Sequence, residues 1–263
     1  GQLRAHGVPV FSGGGETADV GDLARTILVD TCAVTTLNRK SVIAKGIHPG
    51  LSIVGLSSTG RASYEGIENS GIGSNGLTSA RHDLLCEHYR ENYPEAYDPD
   101  VDLRLIYCGP FRLEDSLPDS PLSVGQALLS PTRSYAPVLL KIYEEALELI
   151  SAVIHCSGGG QTKCLRFSDG NTRIVKDHLF KTPPIFSAIQ QHSRTDWREM
   201  YQVYNMGHRM EVYCQPEAVD LVIRAAAAFD IEAQVIGNTR PAGREGAGLT
   251  IESPHGVFDY PLG

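Results

Sequence analysis

The sequence predicts an α+β fold of mixed α/β layers, and three observations lead to it. Short β-branched, apolar runs alternate along the chain with stretches of helical periodicity. No segment repeats, and none is of low complexity. Three glycine clusters, within Ser12–Gly15, Gly71–Gly76 and Gly158–Gly160, punctuate that alternation where the backbone must turn sharply.

Taken in order, Gln2 to Gly7 reads as the end of a helix with Gly7 as its C-cap, and Val8 to Phe11 as a strand. A start in the last turn of a helix suggests a piece cut from a longer protein. Thr26 to Leu37 is β-branched and apolar and reads as a long strand. Asn38 to Lys40 turns the chain, and Gly46 to Gly50 marks a boundary, giving segments 1–45 and 46–263. Leu51 to Ser57 reads as a strand and Leu77 to Tyr89 as a helix with Leu77, Ala80, Leu84 and His88 near one face. Arg90 to Pro121 lacks periodicity and reads as a solvated surface excursion. A strong helix then runs to Ile150 on Val138, Leu139, Ile142 and Ala146. Strands are expected at Ala152–Ile154, Thr172–Phe180, Glu211–Cys214, Ile231–Ile236 and Leu249–Glu252. Helices are expected at Pro184–His192, Asp196–Tyr201 and Glu217–Phe229, the last with Pro216 at its first position. Gly237 to Gly248 reads as a turn-rich link.

Composition narrows the function. A net charge of −8 argues against a general nucleic-acid or membrane-surface binder, while leaving room for a local basic pocket. No apolar run is long enough to cross a bilayer, and no signal peptide is evident, which makes the cytoplasm the expected compartment. The six cysteines contain no Cys-x-x-Cys pair and read as buried thiols rather than disulfides or a zinc site. Cys156, in the last glycine cluster, carries no mark of a nucleophile.

The most telling stretch is Ala152–Gly160, an apolar run leading into Ser157 and three glycines, with Gln161-Thr162-Lys163 behind. Backbone N–H groups of successive glycines can converge into a nest that suits phosphate; a tight turn that binds nothing is the alternative. Arg133 is either a phosphate clamp or the partner of a surplus acid. His155 either serves phosphate binding and acid–base chemistry or is bonded to backbone. Asn75 and Asn205 either meet substrate or close turns.

Taken together, the glycine clusters resemble phosphoribosylformylglycinamidine cyclo-ligase, also called aminoimidazole ribonucleotide synthetase. Five stretches carry the resemblance: Gly14-Gly15-Glu16-Thr17-Ala18; Ser74-Asn75-Gly76 with Arg81; Leu128-Leu129-x-Pro131-Thr132-Arg133-x-Tyr135; His155-Cys156-Ser157-Gly158-Gly159-Gly160; and Met200-Tyr201-Gln202-Val203-Tyr204-Asn205-Met206-Gly207. They span nearly the whole chain in register. The sequence departs from the family at three places. Gly73 stands where many members have His, after an insertion with Tyr64 and Glu65. Gln161 and Leu165 differ after the triple glycine. His208-Arg209 replaces a small Ile-Gly or Val-Gly pair.

The resemblance implies a C-terminal domain of this fold after a remnant of an ATP-binding N-terminal domain, most of which lies outside the sequence. It further implies ATP- and Mg²⁺-dependent closure of the imidazole ring of formylglycinamidine ribonucleotide in purine synthesis, within a homodimeric parent, this piece being inactive alone. Ser74, Asn75 and Asn205 would bind substrate. Gly13, Gly14, Gly15, Gly158, Gly159 and Gly160 would bind ATP phosphates, with Glu16 on the ATP side holding the metal. Arg133 and His155 would serve the chemistry. Other readings are an ATP-using relative such as selenophosphate synthetase, thiamin-phosphate kinase, the hydrogenase-maturation dehydratase or formylglycinamidine ribonucleotide synthetase, or a non-catalytic phosphate-binding module.

Overall fold

The computed structural model describes residues 2–15 and 29–262. Helix α1 (Gln2–Ala5) ends at Gly7, whose φ of +79° suits glycine. The elements that follow are β1 (Ser52–Ser57), α2 (Leu77–Leu84), α3 (Glu87–Asn92), α4 (Val124–Leu128), α5 (Ala136–Ala146), β2 (Ile150–His155), β3 (Thr172–Lys176), α6 (Pro184–Ser193), α7 (Trp197–Val203), β4 (His208–Cys214), α8 (Val219–Ala227), β5 (Ala233–Pro241), β6 (Gly248–Ser253) and β7 (Gly256–Pro261). The strands form one sheet in the order β2-β4-β1-β5-β3-β6-β7, antiparallel except for the parallel pair β3–β6.

Helices cover both faces. Alternation along β1 and β4 sends Ile53 and Tyr213 to one face and Val54, Leu56, Met210, Val212 and Cys214 to the other. The first face packs against Leu84 of α2, Phe186 and Ile189 of α6, and Met200 and Tyr201 of α7. The second packs against Val138 and Ile142 of α5 and Val222 and Ala226 of α8. The layered α+β expectation therefore stands, with the sheet in the middle.

Several local expectations change. Residues 8–11 and 29–37 are irregular, and among the described residues no backbone-to-backbone hydrogen bond begins or ends on 29–37. Val29 and Val34 are 83% and 88% exposed. Strand-type side chains make a strand only where the backbone finds a partner edge, and among the described residues none of the seven strands pairs with 29–37. The helix expected over 77–89 breaks into α2 and α3, where Cys86 N–H turns to the Phe111 carbonyl. The Arg90–Pro121 stretch is no solvated excursion, since it buries Ile106, Tyr107 and Leu117 in the core. Helix α5 stops at Ala146, and a single 3-10 turn leads into β2. Of the expected link Gly237–Gly248, residues 237–241 are instead the second half of β5 while 242–247 do turn, and β7 adds a strand the sequence pattern did not reveal.

Candidate functional site

Three turns meet at one end of the sheet. The chain leaves β2 at His155, passes the triple glycine and enters a 3-10 helix, Gly160–Phe167. Gly160 is buried at φ +48°, and a Cβ there would lie 2.7 Å from the carbonyl oxygens of Tyr201 and Tyr204, so only glycine fits. Asn75, in the turn before α2, donates to the Val203 carbonyl, and its Oδ1 is the one atom near a Cβ placed on Gly158. The Ser74–Gly76 turn, the triple glycine and the Tyr204–Gly207 turn are thus mutual neighbours. Gly158 is exposed, and neither its N–H nor that of Gly159 has a hydrogen-bond partner among the described residues. Lys163 reaches back over this turn and donates to Ser157 Oγ at 2.6 Å. No carboxylate pairs with Lys163 among the described residues. Two free N–H groups, a hydroxyl and an ammonium group make an anion-binding arrangement.

A buried polar network holds this loop from below. Lys176 of β3 donates to the Gln161 carbonyl at 2.7 Å and pairs with Glu211 of β4, both side chains fully buried. His208 Nε2 lies 3.0 Å from the same carboxylate, and Tyr213 donates to its other oxygen at 2.8 Å. Burial alone would raise the Glu211 carboxyl; Lys176 and the His208 hydrogen bond outweigh it and hold the group down at about 2. Burial keeps His208 neutral, so Nε2 carries the proton and Nδ1 is left without a partner. Gln161 completes the lattice by donating to the carbonyls of Asn205 and His208.

His155 is half-buried beside this turn. Burial, then the charges of Arg209 and Lys163, lower its imidazole to about 4. In this setting the neutral imidazole is favoured, and it offers one donor and one acceptor. The phosphate-clamp expectation for Arg133 is corrected. Its guanidinium is buried and donates to Glu65 at 2.9 and 2.7 Å and to the carbonyls of Ser57, Thr59 and Gly60 at 2.8–2.9 Å. Every face of the fork is used, so Arg133 frames the loop after β1 and is no phosphate clamp. Asn205 is likewise occupied: its Oδ1 accepts from Ser58 Oγ and Gly207 N–H, and its Nδ2 donates to the Gly71 carbonyl. It closes a turn rather than presenting an amide to substrate. Ser74 is exposed at the mouth of the site. Gly13, Gly14 and Gly15 are exposed, and no hydrogen bond joins them to the triple glycine among the described residues. Glu16 lies outside the described residues. Burial raises the Cys156 thiol well above its ordinary range, leaving it inert. The structure adds Lys163, Lys176, Glu211 and Glu65, which sequence reasoning had not placed in any role.

Residues 48–249 match the family described as "AIR synthase related protein, C-terminal domain". The chain belongs to that family. Among curated relatives, the phosphoribosylformylglycinamidine cyclo-ligase of Methanocaldococcus jannaschii is 31% identical over 226 residues, covering 85% of this chain and 55% of the relative. The Methanopyrus kandleri protein of the same name is 30% identical over 258 residues, covering 94% and 61%. The chain therefore spans about three-fifths or less of the length of these relatives. Solved structures at low identity include T. maritima PurL complexed with FGAR (15% identical, TM-score 0.43, covering 85% of this chain and 29% of that one) and E. coli HypE (14%, 0.43, 84% and 51%). Within the AIR synthase related family, the matched span contains the whole seven-stranded sheet except its last strand and the end of the one before it.

Proposed function

We propose that residues 46–262 are the C-terminal domain of an ATP-dependent cyclo-ligase that closes the imidazole ring of formylglycinamidine ribonucleotide, giving aminoimidazole ribonucleotide for purine synthesis. The observation that carries this reading is the pair of unpartnered N–H groups at Gly158 and Gly159 beside Lys163, assembled from the same turns that carry the resemblance. These groups receive a phosphate, either of the ribonucleotide or the one being transferred. ATP supplies a phosphoryl group to the formyl oxygen, making it a leaving group. The amidine nitrogen then bonds to the formyl carbon, the C–O bond breaks, inorganic phosphate departs and the nitrogen loses its proton. Such a reaction needs fixed geometry and neutralised charge more than a strong nucleophile. Lys163 supplies charge, the glycine N–H groups supply direction, and neutral His155 supplies one hydrogen bond at the phosphate. Asn75, tied to the Val203 carbonyl, sets its own turn beside Gly158. Among the described residues no three His, Cys, Asp or Glu side chains group closely enough to hold a metal, and Glu16, which the resemblance puts on the metal, lies outside them.

The deciding experiment follows substrate-dependent release of ADP and formation of aminoimidazole ribonucleotide by the full-length native protein. Lys163→Ala is expected to lower kcat/KM by roughly 100-fold, the loss typical of one charge stabilising a transferring phosphoryl group. Unchanged turnover in that variant would remove the phosphate role from this loop. No turnover in the unaltered protein would refute the ligase reading itself.

A further inference from the structure

Gly73 is buried at φ +58° in the turn before α2. A Cβ built there would overlap the guanidinium of Arg209, which arrives from the second residue of β4. Arg209 is 2% exposed, and its Nη2 donates to the carbonyls of Gly71 and Ile72 at 2.9 and 2.8 Å. Asn205 Nδ2 shares the Gly71 carbonyl at 2.8 Å. Among the described residues no carboxylate forms an ion pair with Arg209. Two departures from the family that lie 136 positions apart in the sequence, Gly73 for His and Arg209 for a small residue, therefore fill one space.

We propose that Arg209 is a positioning residue of the candidate site: its guanidinium takes the space that the missing side chain of Gly73 leaves, grips the Gly71–Ile72 backbone, and sets the Ser74–Asn75 turn against Gly158. The exchange also changes how charge is delivered. An uncompensated guanidinium stays charged at every working pH, whereas an imidazole at position 73 would titrate. Its field reaches His155, where, after burial, it is the largest influence keeping the ring neutral. The role in ligand binding rests on the phosphate reading of Gly158–Lys163; the exchange of volume does not.

Two experiments separate these parts. The first is a melting-temperature cycle of Gly73→His, Arg209→Gly and the double variant. Histidine tolerates positive φ better than most residues, so the double variant has room and an acceptable backbone. Gly73→His alone is expected to lower the melting temperature by about 5 °C or more, and the double variant to recover at least about half of the summed losses. Simple addition of the two losses would overturn the exchange. The second compares Arg209→Met, which keeps bulk, with Arg209→Lys, which keeps charge. NMR would follow the Gly158 and Gly159 amides during titration with inorganic phosphate and the His155 ring during titration with acid. Arg209→Met should weaken phosphate binding roughly fivefold and raise the His155 midpoint by about half a unit or more, while Arg209→Lys restores the midpoint. An unmoved His155 and unaltered binding in Arg209→Met would reduce Arg209 to packing and refute the positioning role. If the unaltered chain binds no phosphate while the cycle still couples and His155 still shifts, the loop reading fails and the exchange stands.

Discussion

Arg133 and Lys176 each hold a loop with a carboxylate beside them, whereas Arg209 holds its loop with carbonyl oxygens alone. Arg133 fixes Ser57–Gly60 and pairs with Glu65; Lys176 fixes Gln161 and pairs with Glu211. Both of these frames are electrically closed, so they order the backbone without adding net charge near the site. The Arg209 frame is open, and its positive charge is felt at His155. One kind of contact, a cation donating to backbone carbonyls, therefore does two different jobs according to whether an acid accompanies it. A sequence records the cations but not which of them are neutralised.

The sharpest way to break the comparison is to open a closed frame. Lys176→Met leaves Glu211 buried without a cation and is expected to cost about 3–5 kcal/mol in urea unfolding. A loss below about 1 kcal/mol would show that the network does not anchor the loop. Arg133→Met should cost less, about 2–3 kcal/mol, because Glu65 is 14% exposed and water can partly solvate it. The glycines sharpen the contrast between frame and ligand surface. Gly160→Ala, against two carbonyls at positive φ, is expected to cost about 1–3 kcal/mol. Gly158→Ala meets only Asn75 Oδ1 at 3.9 Å and should leave stability within about 0.5 kcal/mol while weakening phosphate binding; an equal loss of stability at both positions would merge the two roles.

The comparison can also be sharpened by pH. His155, His208 and Glu211 all have folded pKa values below their unfolded ones, so each contributes stability at higher pH that is lost on acidification. For His155 the loss runs from 6.5 down to about 4, and for Glu211 from 4.5 down to about 2. Melting temperatures across this range should therefore fall in two stages, with His155→Asn flattening the upper stage and Glu211→Gln the lower. A single stage unaffected by His155→Asn would mean that the ring is not held neutral by its surroundings.

Much of this fold was legible because its cause is local. The β-branched run at Ser52–Ser57, the apolar spacing of α5 and Pro184 at the start of α6 each state their element within a few residues. What failed depends on distant partners. Val29–Leu37 has better strand chemistry than the Gly237–Pro241 stretch, yet only the latter finds β1 and β3 on either side. The same division runs through the site. The glycine turn is local and stood out in the sequence, whereas Lys163, adjacent to it, was given no role there. For Arg133 and Asn205 the residues alone left two roles open, and which one holds depends on Glu65, 68 positions from Arg133, and on Ser58 and Gly71, more than 130 positions from Asn205. Gly73 and Arg209 each looked like an isolated departure until the fold brought them together.

The position of β1 at the centre of the sheet sets a timetable for synthesis. Ser52 pairs with Cys214 on one side and Asn238 on the other, so β1 is flanked by strands made long after it. At 5–20 residues per second, a ribosome needs roughly 10–40 s after β1 emerges to deliver both neighbours. Until β4 is made Ile53, Val54 and Leu56 have no strand to pair with, and α5 has no finished surface to cover. Newborn chains therefore pass through a long window in which the future centre of the protein is its most adhesive part.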